Sequence, residues 1–454
     1  MNVYSLLDVL FVPIYLLIIL FSARIYQSKK IADNPEYRYF LWGLVAKIVG
    51  AVGLTLVYTL YYPGGDTLQY YWDTLSFHKL MFVDFNSFWH VLISKADPSN
   101  IFYFNDETGY PPYCRDPKAW SVVKIAFFLV TISMRSCLIT NILCGVVSFF
   151  GVWQLYRVFA VELPEIKKEL AISFLFVPSV FFWGSGLLKD TFTFAALGFF
   201  VSAFYNLAKL KGRILPNLLK LLLAAYTILS IKPYIFVGLV PSLILGFIYL
   251  VIGKIQAQTL RSFVFPIVLL FGFLFGYVFL LIMGDALHEY QVDSFLDKAA
   301  INQKDLKSDY HKGNSFDIGE FDPTVQGISS KFFIATFSAI YRPMIYEVNN
   351  VVMFLSSIEN LLILILTIRV LWYIRIYRLF KYLRSHYLLV FSFSFAILFA
   401  FFIGLSTSNF GALVRYKIPC IPFYIASLYI IKHLHTKYLE ERDAMKIQLF
   451  DGGV

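Results

Sequence analysis

The stretch FLWGLVAKIVGAVGLTLVYTLYYPGGDTLQYYWD, residues 40–73, holds the main architectural question of the chain. Its first part, 40–61, is apolar apart from Lys47 and is long enough to cross a bilayer. A Pro-Gly-Gly turn follows, then Asp66 and a row of aromatic residues. A carboxylate a few residues beyond a span lies at the membrane edge, within reach of both a lipid-borne and a water-soluble substrate. The same apolar character recurs along the 454 residues, of which 59% are hydrophobic and 15% charged, with a mean hydropathy of +0.68. Apolar runs fall at roughly 4–23, 40–61, 136–156, 169–183, 191–207, 216–231, 235–253, 263–284, 351–368, 387–405 and 418–431. The pattern predicts an all-α polytopic membrane protein of about eleven transmembrane helices. Residues 1–432 form one integral membrane domain and 433–454 a tail, with no internal repeat and no separate soluble domain.

Charge sets the expected orientation. The loops around ARIYQSKK, EIKKEL, KLKGR, GKIQAQTLR and RIYRLFKYLR, together with the tail KHLHTKYLEER, are rich in Lys and Arg, and alternating spans place them all on one side. The positive-inside rule makes that side cytoplasmic, with the N-terminus outside and the C-terminus inside. The first run has no basic leader and no small-residue cleavage site, so it reads as a retained span. The opposite face then receives two large loops, 62–135 and 285–350, and the turns WGSGLLKD, SIKPY and SNFGALVRYK. Loops of that length are usually functional. The segment 119–135 is expected to form an interfacial helix, with Trp120 and Lys124 at the headgroups. The net charge of +10 follows from this loop bias, so a nucleic-acid partner is not inferred. Cys114, Cys137, Cys144 and Cys420 form no CxxC pair, and neither a zinc site nor a disulfide framework is expected.

The outer face carries the chemistry. Asp66 is the candidate general base: PGGD is strong turn chemistry, and a carboxylate held there can take a proton from an acceptor hydroxyl. Tyr70, Tyr71 and Trp72 are candidate sugar-stacking faces as well as belt anchors, while Asp73 is expected to be solvated. In WGSGLLKD, Lys189 and Asp190 either neutralise each other or, with the start of the next helix, make Lys189 part of an anion site; the anion site is the preferred reading. Lys232 repeats the design ahead of a proline, and Arg415, Tyr416 and Lys417 lie just before the last span. Cations on external turns run against the positive-inside bias, which points to a bound phosphate, although snorkelling anchors also place cations at helix ends. Arg342 joins this set, unless it pairs with Glu347. Asp285, His288 and Glu289 share a helical face and are weak candidates for a divalent ion, which nothing else in the sequence requires.

The order of these features resembles the membrane-embedded glycosyltransferases of the C superfamily, which use polyprenyl-phosphate-linked sugars. Asp66 in GGDTLQYY stands where that family's catalytic carboxylate would, 119–135 resembles its interfacial helix, and RYKIPCIP, with Arg415, Tyr416, Pro419 and Pro422, resembles its late Tyr-x-x-Pro-x-x-Pro pattern. This chain departs from the family in an extra preceding span and in a lone Asp66 where an Asp-Glu pair is usual. The resemblance implies an inverting transferase moving a sugar from a polyprenyl phosphate or diphosphate to a glycan, lipid or protein acceptor in envelope polysaccharide synthesis. A bacterial inner membrane is the implied location. A second resemblance is to envelope polysaccharide repeat-unit polymerases, which share external basic residues and a Gly-x-Asp element. A lipid-linked substrate flippase is the competing class, though it predicts midplane charges and paired broken helices in two related halves.

Overall fold

A computed structural model describes residues 6–62, 64–252, 315–319 and 325–451. Among these residues the chain is helical, with no strand beyond an isolated antiparallel bridge between Ser315 and Asn409. Eight helices among them are long and apolar enough to cross a membrane: Asp8–Lys30, Pro35–Tyr61, Cys137–Glu162, Lys189–Ala208, Ile214–Ile231, Tyr234–Val251, Val351–Ile374 and Tyr387–Ser406. The chain is thus an α-helical integral membrane protein. Large apolar side chains such as Leu17, Phe21, Leu60 and Trp372 stand exposed on these helices, where a bilayer supplies the apolar surroundings that water would not.

Three expected spans differ from this set. The run 169–183 is not one helix but two, α7 (Lys167–Leu175) and α8 (Pro178–Trp183), because Pro178 cannot donate to the preceding turn. The run 418–431 begins α18 (Ile421–Asp451), a single helix that carries on through the basic tail. The run 263–284 lies outside the described residues.

The chain divides into two compact units, residues 1–162 with 174–233, and 163–173 with 234–454. The first is built on α1 (Leu6–Lys30), α2 (Phe40–Leu56), α6 (Cys137–Glu162), α9 (Lys189–Ala208) and α10 (Ile214–Ile231). Helices α6 and α9 approach backbone to backbone, since a Cβ on Gly198 would collide with the Gly151 carbonyl and one on Gly151 with Ala195. Small residues permit such contact where lipid provides no hydrophobic drive between helices.

The first large loop is itself folded. It contains α3 (Asp66–Val83), α4 (Phe85–Ile93) and α5 (Pro117–Ile132), joined by short 3-10 turns at Pro98–Tyr103 and Pro112–Arg115. Helix α5 matches the helix expected at 119–135, but Trp120 is fully buried against Phe77 and Phe104 rather than set among headgroups. Lys124 turns inward as well, donating to the Ser94 carbonyl at 2.6 Å. The Trp120 indole buries its apolar surface against Phe77 of α3.

The second unit contains α11 (Tyr234–Ile252), α12 (Val325–Ser330), α13 (Phe332–Tyr341), α14 (Val351–Ile374), α15 (Leu379–Leu383), α16 (Tyr387–Ser406), α17 (Phe410–Tyr416) and α18. Gly404 on α16 lets the α13 backbone approach at Ala335. A buried hydroxyl set, Tyr341 with Tyr424 at 2.6 Å and with Thr367 at 3.1 Å, ties α13, α14 and α18 together.

Candidate functional site

Gly64 and Gly65 both have positive φ, 137° and 96°, conformations that side-chain-bearing residues rarely adopt. They turn the chain out of the Pro35–Tyr61 span and start α3 with Asp66 as its first residue. A carboxylate in the first turn complements the exposed N–H groups there. Asp66 is half-buried, and its Oδ1 accepts from the Tyr113 hydroxyl at 3.3 Å.

Tyr113 links this carboxylate to a second one. Its main-chain N–H donates to Asp73 Oδ2 at 2.8 Å, while Gln69 Nε2 donates to Asp73 Oδ1 at 2.6 Å. Asp73, expected in solvent, is 1% exposed. It lies two turns along α3 from Asp66, buried against the Pro112–Arg115 turn, and that burial lifts its pKa to about 6 against the pull of the two hydrogen bonds. Burial, and then the neighbouring Asp66 carboxylate, push the Tyr113 phenol well up, so it stays a donor at neutral pH.

Three residues after Tyr113, Asp116 caps α5 by accepting from Lys118 N at 2.9 Å, with Pro117 at the first helical position. Its own N–H donates to the Tyr113 carbonyl at 3.1 Å, closing the turn between them. Its other carboxylate oxygen meets Lys189 Nζ at 3.0 Å. Burial pushes the Asp116 carboxyl up, but the Lys189 ammonium and the backbone N–H groups outweigh it and hold the group below the usual range. Asp66, Tyr113, Asp116 and Lys189 thus form one chain of short contacts in the first unit, with Asp73 beneath it.

The turn that presents Lys189 is not a tip in solvent. Residues 184–188 are buried between α8 and α9. Lys47 Nζ, the one charge within 40–61, donates to the Gly184 carbonyl at 2.7 Å and to that of Val180 at 3.2 Å. Asn141 Oδ1 accepts from Leu187 N at 2.7 Å. Between them, a lysine from α2 and an asparagine from α6 satisfy the backbone groups that the break after α8 leaves open.

Lys189 and Asp190 do not neutralise each other, whereas Arg342 does pair with Glu347, the alternative that the sequence left open. Lys189 pairs with Asp116, and the adjacent Asp190 pairs with Lys232 at 2.5 Å. The latter pair is almost fully buried, so Lys232 is engaged with a carboxylate inside the unit. In the second unit, Arg342 is held by Glu347 through Nε at 2.9 and 3.1 Å, with its guanidinium against the stacked Phe316 and Phe410 rings. Lys417 is buried and donates to Asn360 Oδ1 at 2.6 Å and the Arg342 carbonyl at 3.1 Å. Arg415 and Tyr416 are half-buried at the end of α17.

The aromatic row is also mostly committed to packing. Tyr70 and Tyr71 are buried, the first against the Tyr113 ring at 4.7 Å, the second donating its hydroxyl to the Arg135 carbonyl at 2.6 Å. Of the three, Trp72 alone keeps partial exposure, so the stacking faces expected from Tyr70 and Tyr71 are closed. Among the described residues no group of three His, Cys, Asp or Glu side chains is placed to hold a metal ion. The candidates Asp285, His288 and Glu289 lie outside those residues. All four cysteines are free and buried.

Sequence reasoning missed Tyr113, Asp116, Asn141 and the burial of Asp73. One signal was available: Asp116-Pro117 is a helix-start pair, which fixes the carboxylate at an exposed cap. Comparison with family models, curated proteins and solved structures finds no match to this chain.

Proposed function

We propose that the chain transfers a sugar from a polyprenyl-phosphate or diphosphate donor to an acceptor hydroxyl at the outer membrane face. The observation that carries this reading is the pair of contacts Asp66–Tyr113 and Asp116–Lys189, which joins a half-buried carboxylate to a partly exposed cation through the short turn 113–116. Asp66 takes the acceptor proton while the acceptor oxygen attacks the anomeric carbon; the bond from that carbon to the phosphate oxygen breaks, and the phosphate leaves with the electron pair. Attack opposite the leaving group inverts the anomeric configuration. Lys189 is suited to the departing phosphate because its partner Asp116 is 45% exposed, and an exposed pair is weak enough for a phosphate to share the ammonium.

Repeat-unit polymerisation is the second reading. It uses the same residues and differs only in its acceptor, a hydroxyl of a lipid-linked glycan. The flippase reading loses ground because Lys47, the charge that would favour it, is engaged with backbone carbonyls.

Transfer at that face requires the first large loop to face outward, with the N-terminus external and the membrane a bacterial inner membrane. A reporter fused after Lys211 reads cytoplasmic, and one fused within 315–319 reads external. Purified protein in vesicles, supplied with labelled polyprenyl-phosphate sugars and an acceptor glycan, forms product of inverted configuration. Retained configuration, or no transfer from any lipid-linked donor, would overturn the proposal.

A further inference from the structure

At the other end of the first unit lies a cavity that the transfer chemistry does not use. It has a volume of about 310 Å³, within the roughly 300–1,000 Å³ typical of ligand pockets. Helix α9 connects the two ends: Lys189 opens it, and Ser202 and Asn206 in its last turns line the cavity, about 20 to 26 Å along the helix axis. Helix α6 contributes Trp153, Gln154 and Arg157, and the short turn Pro35–Tyr39 contributes Tyr37.

The charge around this cavity does not balance. Arg157 Nε meets Glu36 at 3.2 Å with its guanidinium over the Tyr37 ring. Lys209 and Lys211 share one carboxylate, Glu162, at 3.1 and 3.5 Å. Behind the lining, Lys220 Nζ donates to Gln154 Oε1 at 2.7 Å and Ser202 Oγ at 3.4 Å, both neutral groups. Among the described residues, these four cations meet two carboxylates in these contacts. The Ser202 and Tyr205 hydroxyls already donate to Gln154 and Glu162, so the polar lining adds chiefly the amide groups of Gln154 and Asn206, which together with Arg fit the several oxygens of a phosphate.

The apolar part of the lining says how such a ligand is attached. Phe150, 43% exposed, and Val161, 46% exposed, both line the cavity and both belong to the outer apolar surface of α6. The mouth therefore borders the surface that faces acyl chains, at the end of the unit where the basic loops gather. From this we infer that the cavity holds the phosphodiester headgroup of an anionic membrane phospholipid, its acyl chains lying along the outer face of α6. The inference stands apart from the transferase reading and needs only that the chain sits in a bilayer.

Full-length protein in nanodiscs of phosphatidylcholine mixed with phosphatidylglycerol, released and weighed by native mass spectrometry, tests the site. One phosphatidylglycerol is retained preferentially. Arg157→Gln and Lys220→Met each weaken that retention by about fivefold, the effect of one cation near an anionic headgroup. Asn206→Asp, which adds a negative charge without added bulk and removes the amide donation to Asn217 Oδ1, weakens it at least as much while the protein stays folded, as its thermal unfolding checks. Lys29→Ala, an exposed cation on α1 outside the lining, has no effect. Equal retention in Asn206→Asp and the unaltered protein would overturn the inference, as would equally tight phosphatidylcholine. Saturable binding of inorganic phosphate without phosphatidylglycerol preference would also overturn it, assigning the cavity to a soluble anion.

Discussion

Tyr113 and Asp73 are locked together at 2.8 Å through a main-chain N–H, so the loop that aims the Tyr113 hydroxyl at Asp66 is anchored on a buried acid two turns down α3. The anchor is sensitive to ionisation. Burial raises the folded-state pKa of Asp73 from 3.8 to about 6, so folding favours the neutral acid. Its contribution is complete below 3.8 and is lost as pH rises through about 6, a change on the order of 3 kcal/mol for a shift of this size.

The melting temperature of the purified protein therefore falls between pH 4 and pH 6 through this group, and Asp73→Asn, which still accepts from Tyr113 N–H, flattens that part of the profile. A profile identical to that of the unaltered protein would show that Asp73 is not the group titrating.

The two lysine pairs of the first unit separate stability from activity. Lys232→Met leaves Asp190 charged and buried, and typically costs about 3–5 kcal/mol, whereas replacing both partners with apolar residues recovers much of it. Lys189→Ala removes a part-exposed pair worth about 0–1 kcal/mol, so the protein stays folded while donor use falls. Thermal unfolding in detergent alongside donor turnover checks both. Full activity in Lys189→Ala would remove that residue from the phosphate site.

Tyr113→Phe keeps the ring against Tyr70 and the N–H bond to Asp73 but deletes the donor to Asp66. Stability falls by no more than about 1.5–3 kcal/mol, the net worth of a hydrogen bond to a charged group. Transfer slows by roughly tenfold if the phenol orients the base, a loss of about 1.4 kcal/mol in the barrier. A rate equal to that of the unaltered protein would make the 3.3 Å contact incidental.

The helical membrane character was legible in the sequence because an apolar run of bilayer length can satisfy its backbone in lipid only by forming a helix. Pro178 left a trace of the break between α7 and α8, but the largely apolar run 170–183 on both sides of it hid it. The partners of the charges were not legible. Lys189 sits beside Asp190 in sequence, yet successive residues point to different sides of a helix, so Asp190 turns inward to Lys232 and Lys189 outward to Asp116, 73 positions away. Asp73 misled for a similar reason: an acid in a loop reads as solvated until the loop is known to be a packed set of helices. What sequence could show was that Asp66 follows two glycines, and those glycines do set the turn that places it.

The transfer chemistry turns on Asp66 acting as the base, and an isosteric change isolates that role. Asp66→Asn keeps the turn geometry and the hydrogen-bonding oxygen but removes the proton acceptor. Glu107→Gln, an exposed residue of the same loop, is the control. General-base catalysis is commonly worth about 100- to 10,000-fold. Sugar transfer from a labelled polyprenyl-phosphate donor, measured with equal amounts of folded protein in membranes, falls at least about 100-fold in Asp66→Asn and is unchanged in Glu107→Gln. An Asp66→Asn variant that transfers sugar at the rate of the unaltered protein would rule out a base at this position and leave Asp66 as the first residue of a helix and nothing more.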